Sequence, residues 1–319
     1  MDVSTLEWGI TIGVTIAVLL FDVVVIARHP HQPSMRECAI ALSIYVGAAV
    51  AFGAWVWVFH GHDFGIEFYA GWLTEYSLSI DNLFVFIILM GALAVPAKYQ
   101  QEALMIGIIL ALIFRGIFIA VGYTLIENFS WVFYIFGAFL IYTAWKLIQS
   151  HRSGGDDHPE DNKIVKFAQG HLNVGEEYRG LKLWWKDNGV RVVSPMVIVI
   201  IALGMTDILF ALDSIPAIFG ITQEPYLVFT ANVFALMGLR QLYFLLGGLL
   251  ERLVYLSYGL AFILAFIGVK LILHALHEGG APVPEIPSLL SLGVIIATLV
   301  ITAVASLRRD KVEREEQPA

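Results

Sequence analysis

Two apolar runs of the chain each carry a pair of carboxylates flanked by small oxygen-bearing side chains. One holds Thr74, Glu75, Asp81 and Asn82, and the other holds Thr206, Asp207, Asp213 and Ser214, in the same order and at the same spacing. An acid inside a membrane span is costly and marks a functional site by default. The same costly feature built twice points to a duplicated ion site. Carboxylate, amide, hydroxyl and carbonyl oxygens are hard donors, which suit Mg²⁺, Ca²⁺ or Mn²⁺ in octahedral or larger shells. The spans lack the His or Cys cluster that zinc or copper favours. Met205, beside Thr206, would add a soft ligand favouring Mn²⁺, although filling the core is its simpler role. If all are ionised, the four acids set against Arg115 and Arg240 leave two negative charges over, which one divalent cation neutralises.

The spacing constrains geometry. Residues seven apart share a helix face, which stacks Thr74 with Asp81, Glu75 with Asn82, Thr206 with Asp213 and Asp207 with Ser214. The two acids of each copy lie six apart. On an ideal helix they point about 120° away from each other, about 9 Å apart along the axis. One ion reaches both only if the helix bends. Pro216 stands three residues after Asp213, with Gly204 and Gly220 flanking the segment, and predicts a break near Ala211 to Pro216. In the first copy Phe84 occupies the matching place, so a break there rests on symmetry alone.

The medium around these acids follows from composition: 58% hydrophobic residues, 14% charged residues and a mean hydropathy of +0.77 describe a polytopic membrane protein. One cysteine, Cys38, excludes an internal disulfide and any cysteine-clustered metal site. Runs of about 20 apolar residues give about nine spans, near 8–27, 38–59, 67–94, 103–125, 131–148, 195–220, 227–249, 254–273 and 288–307. The first run lacks a basic leader and a small-residue cleavage site and reads as a retained span. Lys and Arg follow the odd-numbered spans, with Arg28, Arg36, Lys98, Arg152, Lys163, Lys166, Arg252, Arg308, Arg309 and Lys311. The alternate loops carry His60, His62, Asp63, Glu127, Glu224, Glu278 and Glu285. The bias predicts an outside N-terminus and a cytoplasmic C-terminus. The polar segment 151–193 becomes a cytoplasmic linker, whose later part, with Trp184 and Trp185, suits a short strand pair or a membrane-surface anchor. No nucleic-acid module, phosphate loop, nucleophile motif or tightly bound cofactor is indicated.

The repeat extends beyond the acids. Arg115 and Arg240, Gly122 and Gly247, Glu127 and Glu251, and Tyr134/Lys146 and Tyr258/Lys270 recur in the same order, so each unit is three spans long. An odd number of spans turns the second copy upside down. The fold expected is an all-α transmembrane bundle with two inverted three-helix repeats, an arrangement typical of secondary transporters with midplane ion sites. The organisation is an N-terminal helix pair over 1–66, a first repeat over 67–148 and a linker over 149–193, followed by a second repeat over 194–274 and a C-terminal helix with cytoplasmic tail over 275–319.

Other polar groups have plainer readings beside the functional ones. Arg115 and Arg240 serve as counter-ions to the acids, since an unpaired intramembrane arginine is very costly. Asp22 fits a proton relay or a helix-end pair with Arg28. Lys146 and Lys270 lie near span ends and snorkel. His60, His62 and Asp63 form an ordinary polar loop in preference to a metal trap. Asn232, about two turns before Arg240, either joins the site or bonds helix to helix.

The run Thr206-Asp207-Ile208-Leu209-Phe210-Ala211-Leu212-Asp213-Ser214-Ile215-Pro216-Ala217, with Asn232 to Leu236, Gly238-Leu239-Arg240 and Glu75 to Asn82, resembles the TerC family of integral membrane proteins, including its Alx-type members, over nearly the whole chain. The resemblance implies tellurium resistance for some members, and efflux of divalent manganese with alkaline-pH responsiveness for others. It places ion handling on Glu75, Asp81, Asp207 and Asp213, with Asn82 and Ser214 as neighbours. Many relatives carry a glutamate three residues before the first acid of the second motif, where this chain has Gly204. The function expected is a transporter exporting Mn²⁺ or a similar dication across a prokaryotic cytoplasmic membrane, with protons as coupling ion. Against it stand a non-transporting scaffold in which the buried charges are structural, and an intramembrane hydrolase built on paired aspartates.

Overall fold

The structure is a computed structural model that describes residues 1–28, 34–129, 131–153, 175, 178, 182–187, 190–246 and 255–316. Its elements are α1 (Thr5–Arg28), α2 (Met35–Phe59), α3 (His62–Ala92), α4 (Ala97–Asn128), α5 (Val132–Ser153), β1 (Trp184–Asp187), β2 (Val190–Val193), α6 (Pro195–Phe219), α7 (Pro225–Met237), α8 (Leu239–Leu246), α9 (Leu256–Glu278) and α10 (Ser288–Glu316). In hydrocarbon every backbone amide must be satisfied inside its own segment, which leaves the helix as the natural form of these long apolar runs. Local signals set where they begin. Ser34 and Glu37 form a reciprocal capping box at α2, and Ser194 caps α6 with Pro195 in its first turn.

Among the described residues eight helices are long and apolar enough to cross a membrane, with α7 and α8 together making one of them. The expected first span falls in α1, whose described apolar part is Thr5–Val18. The chain is a polytopic all-α membrane bundle. Its outer helices show lipid the faces that water would reject, such as Ile113, Ile117 and Val121 on α4 and Val300, Ile301 and Val304 on α10. The linker ends in the expected strand pair, β1 antiparallel to β2 with Trp184 opposite Val193. Residues 154–174 of the linker lie outside the described residues.

The interior divides into two apolar clusters. One gathers Phe68 to Leu78 of α3, Ile119 and Ile126 of α4, Ala211 to Phe219 of α6, and the packed faces of α5 and α9. The other gathers Leu83 to Met90 of α3, Ala103 to Ala111 of α4, and Met196 to Leu203 of α6. On α4 the gap between the clusters holds Arg115, and on α6 it holds Asp207. The charged layer therefore lies between two apolar halves of the bundle. Within it α3 meets α7 and α4 meets α6, while α5 lies along α9. The α5–α9 seam is close: a methyl group on Gly137 would stand 2.7 Å from the carbonyl oxygen of Gly268, and one on Gly268 would stand 2.8 Å from that of Gly137. Small residues at such positions let two membrane helices approach.

Two sequence expectations about helix breaks are corrected, that on α3 because the helix runs unbroken from His62 to Ala92 through Phe84. The helix carrying Asp207 and Asp213 is not broken at Pro216; α6 runs on to Phe219 with that proline inside its last turn. A proline there removes only one ladder bond, and the turn closes on Gly220, whose N–H donates to Pro216 O and Ala217 O. The interruption lies instead in the next span, where Gly238 separates α7 from α8. Gly238 is buried, and a methyl group there would come within 3.2 Å of Leu42 Cδ1 and 3.5 Å of Tyr76 Cε2.

Candidate functional site

Arg115 is the centre of the charged layer. It is 1% exposed and heads the largest fully buried side chains. α4 brings it close to α6 through two glycines: a methyl group on Gly107 would lie 3.3 Å from Leu203, and one on Gly122 would lie 2.9 Å from Phe219. The guanidinium is shared among three helices. Nη1 pairs with Glu75 Oε1 of α3 and donates to Asn232 Oδ1 of α7 at 3.0 Å, and Nη2 donates to Asp207 Oδ1 of α6 at 3.4 Å. Asn232 is fixed in turn because its Nδ2 donates to Val228 O at 2.9 Å. A planar fork can serve several acceptors at once, which an ammonium does less well.

The structure thus joins one acid from each sequence motif, Glu75 and Asp207, on one arginine, and brings in Asn232. Two carboxylates against one guanidinium leave a net negative charge if both are ionised. Thr74 Oγ1, Glu75 Oε2, Asp207 Oδ2 and Ser214 Oγ are buried with no hydrogen-bond partner among the described residues. Buried oxygens of this kind need explanation by water or an ion. Their donor type suits a hard cation, as the sequence suggested.

The remaining predicted residues divide. Thr206 turns back on its own helix, its hydroxyl donating to Ala202 O at 2.7 Å. Asn82 is buried. The side chains of Asp81 and Asp22 lie outside the described residues, as do Gly247 and Glu251. Asp213 is half-buried on the unbroken α6. The expected convergence of Asp207 and Asp213 through a bend is therefore corrected: a continuous helix keeps the six-residue offset, and with it the roughly 120° divergence. Arg240, on α8 beside the interruption, donates from Nη2 to Gln241 Oε1 at 2.9 Å, with that amide turned so that its nitrogen donates to Met237 O at 3.3 Å. Gln241 thereby supplies a donor to a carbonyl at the helix break.

Outside this layer, His60 faces Glu7 at 3.2 Å and His62 faces Asp63 at 3.6 Å, and each ring meets a different tryptophan, Trp55 and Trp57. They do not converge. Among the described residues no three His, Cys, Asp or Glu side chains are grouped to hold a metal. A methyl group on Gly204 would stand 3.5 Å from Leu110 and 3.7 Å from Phe114 of α4, the residue before Arg115. Two acids escaped sequence reasoning, the half-buried Glu67 on α3 and the buried Glu102 on α4. Both helices begin five or more residues before the apolar runs, at His62 and Ala97, so these acids looked interfacial. An acid within two turns of an apolar run was the available signal.

The profile of the integral membrane protein TerC family matches residues 60–314. The chain belongs to the TerC family. Among TerC-family relatives, the uncharacterized membrane protein Rv2723 of Mycobacterium tuberculosis (strain ATCC 25618 / H37Rv) is 46% identical over 317 residues, covering 96% of this chain and 80% of its own length. The uncharacterized membrane protein STKORF319 of Myxococcus xanthus is 37% identical, over 95% and 92% of the two chains. Alx of Escherichia coli (strain K12), whose name offers it as a candidate membrane-bound redox modulator, is 36% identical over 97% of both chains. No solved structure matches this TerC-family chain.

Proposed function

We propose that the chain is a secondary transporter exporting Mn²⁺, or a similarly hard dication, across a prokaryotic cytoplasmic membrane in exchange for protons. The observation that carries this reading is the Arg115 cluster, in which acids of the two sequence repeats share one cation and keep buried oxygens unused. Arg115 then acts as the tethered counter-ion of the empty site. A dication reaching Glu75 and Asp207 takes over their charge, and the guanidinium retreats to Asn232. Proton binding to either carboxylate releases the metal, since the neutral acid is a poor ligand and a charged one is costly to bury. The reciprocal packing of α3 on α7 and α4 on α6 supports two inverted repeats rocking about this layer. Cytoplasmic placement of the tail follows from the loop charges.

The same ion pairs favour a second reading, a scaffold in which Arg115 only locks α3, α4, α6 and α7 together. A cell lacking the protein separates the two. Export predicts raised intracellular manganese and poor growth in excess Mn²⁺, both restored by the wild-type protein and not by Glu75→Gln at equal abundance. A scaffold predicts restoration by any variant that accumulates to normal level.

A further inference from the structure

A second polar site lies where α3 begins and α6 and α9 end. There a cavity of about 640 Å³ is lined by Glu67, Glu224, Lys270, His274 and Glu285, with Phe219 among its apolar walls. Glu67 is eight residues before Glu75 on α3, and Phe219 is twelve after Asp207 on α6. At 1.5 Å per residue, the cavity begins roughly 12–18 Å from the charged layer along the two helices that supply its acids.

Two of its carboxylates face basic groups, Glu224 the Met1 amine and Glu285 the His274 ring, and Glu67 does not. Glu67 takes only neutral donors, Thr222 Oγ1 at 2.7 Å and Ser288 Oγ at 3.3 Å. Glu285 accepts from or faces His274 Nδ1 at 3.2 Å, and His274 Nε2 meets Gln223 Nε2 at 2.9 Å. Glu224 receives the amine of Met1 at 2.6 Å. Lys270 lines the same space with no carboxylate within 4.0 Å among the described residues. Its counterpart in the first sequence repeat, Lys146, is exposed. Lys270 is instead half-buried beside this cavity, its stem among apolar residues as a snorkelling lysine keeps it.

We infer that this cavity is a vestibule at one membrane face, separated from the dication site by the apolar cluster of Phe68 to Leu78 and Ala211 to Phe219, in which Glu67 and Glu285 draw the cation and Lys270 keeps it from being retained. The inference rests on the transport reading above. A mobile dication needs a path whose charges attract it, and a fixed positive charge beside them that keeps the attraction weak enough for release. Glu67 and Glu285 supply the attraction and Lys270 the fixed positive charge, while Glu224 is neutralised by the Met1 amine. The ligand class is a hydrated divalent cation, because the cavity offers oxygens from several elements and room for a hydration shell.

The test is reverse-mode Mn²⁺ flux through the full-length protein in liposomes, with Mn²⁺ applied at the face bearing the cavity, the outer one by the loop charges. Glu67→Gln and Glu285→Gln should each raise KM roughly three- to tenfold with little change in kcat, the effect of one screened charge on a nearby dication. Lys270→Met should act oppositely, lowering KM and, through slower release, kcat. Lys270→Arg should behave as wild type. Loss of folding cannot produce shifts of opposite sign. If Lys270→Met does not fold, Glu285→Lys at the exposed rim decides, with KM raised beyond Glu285→Gln. Unchanged KM in these variants, or shifts of one sign throughout, would overturn the vestibule while leaving transport standing. Absence of wild-type flux would instead remove the transport reading.

Discussion

Arg115 sits at the point where stability and function make opposite demands. Removing it leaves Glu75 and Asp207 facing each other in an apolar setting, and loss of one partner from a buried ionic cluster costs about 3–5 kcal/mol. Arg115→Gln should therefore melt well below wild type. If the cluster is an ion site, Mn²⁺ should restore much of that loss, because the dication occupies the place of the guanidinium and a ligand that binds only the folded state stabilises it. Arg115→Lys should fall between the two, keeping the charge without the fork that reaches Asn232 and Asp207 together. Thermal melts of the three proteins with and without Mn²⁺ test this, and a Mn²⁺ response no larger in Arg115→Gln than in wild type would argue for a purely structural arginine. The residue types were legible in the sequence, and the structure brings Glu75, Asp207, Arg115 and Asn232 together. Pairing across the two motifs was not legible, because spacing within one helix says nothing of which neighbour an acid faces. Glu67 and Glu102 went unread because the polar first turns of α3 and α4 hid how far each helix extends.

At the level of elements, the instructive case is the contrast between Pro216 and Gly238. Proline is the strongest local breaker in a sequence, yet at the end of α6 the ladder bond it removes is one of the last, and Gly220 closes the turn. Gly238 gives no comparable local signal. Its consequence comes from tertiary packing, with Tyr76 of α3 and Leu42 of α2 both close to where a side chain would stand. Pro216→Ala should consequently leave melting and flux near wild type. Gly238→Leu must displace Tyr76 and Leu42, and overpacking of this kind costs about 1–3 kcal/mol. Its melting temperature should drop clearly, and it should disturb Arg240 and Gln241 beside the interruption. A large effect at Pro216 with none at Gly238 would contradict this account of where the helix is interrupted.

Taken whole, the molecule is a stack of two apolar cores with a charged layer between them and a polar cavity at one end. Spans, fold class and family could be read from hydropathy and motifs, since long apolar runs have few solutions in lipid. The orientation proposed from loop charges makes a direct prediction. Cys38 is the one cysteine and is buried, so after Cys38→Ser a single cysteine introduced at Trp184 in β1 or at Glu285 beside the cavity can be labelled by itself. A membrane-impermeant thiol reagent added outside intact cells should modify the protein with cysteine at 285 and spare the one at 184, and the reverse would invert the topology. The central claim is that Glu75 and Asp207 handle a dication rather than merely neutralise Arg115. It is tested most directly by proton-driven Mn²⁺ transport in proteoliposomes of wild type, Glu75→Gln and Asp207→Asn, with melting temperatures measured on the same preparations. The ion-site account predicts robust transport by wild type and its loss in both folded variants; wild-type rates in either variant, or no Mn²⁺ movement by intact wild-type protein, would contradict it.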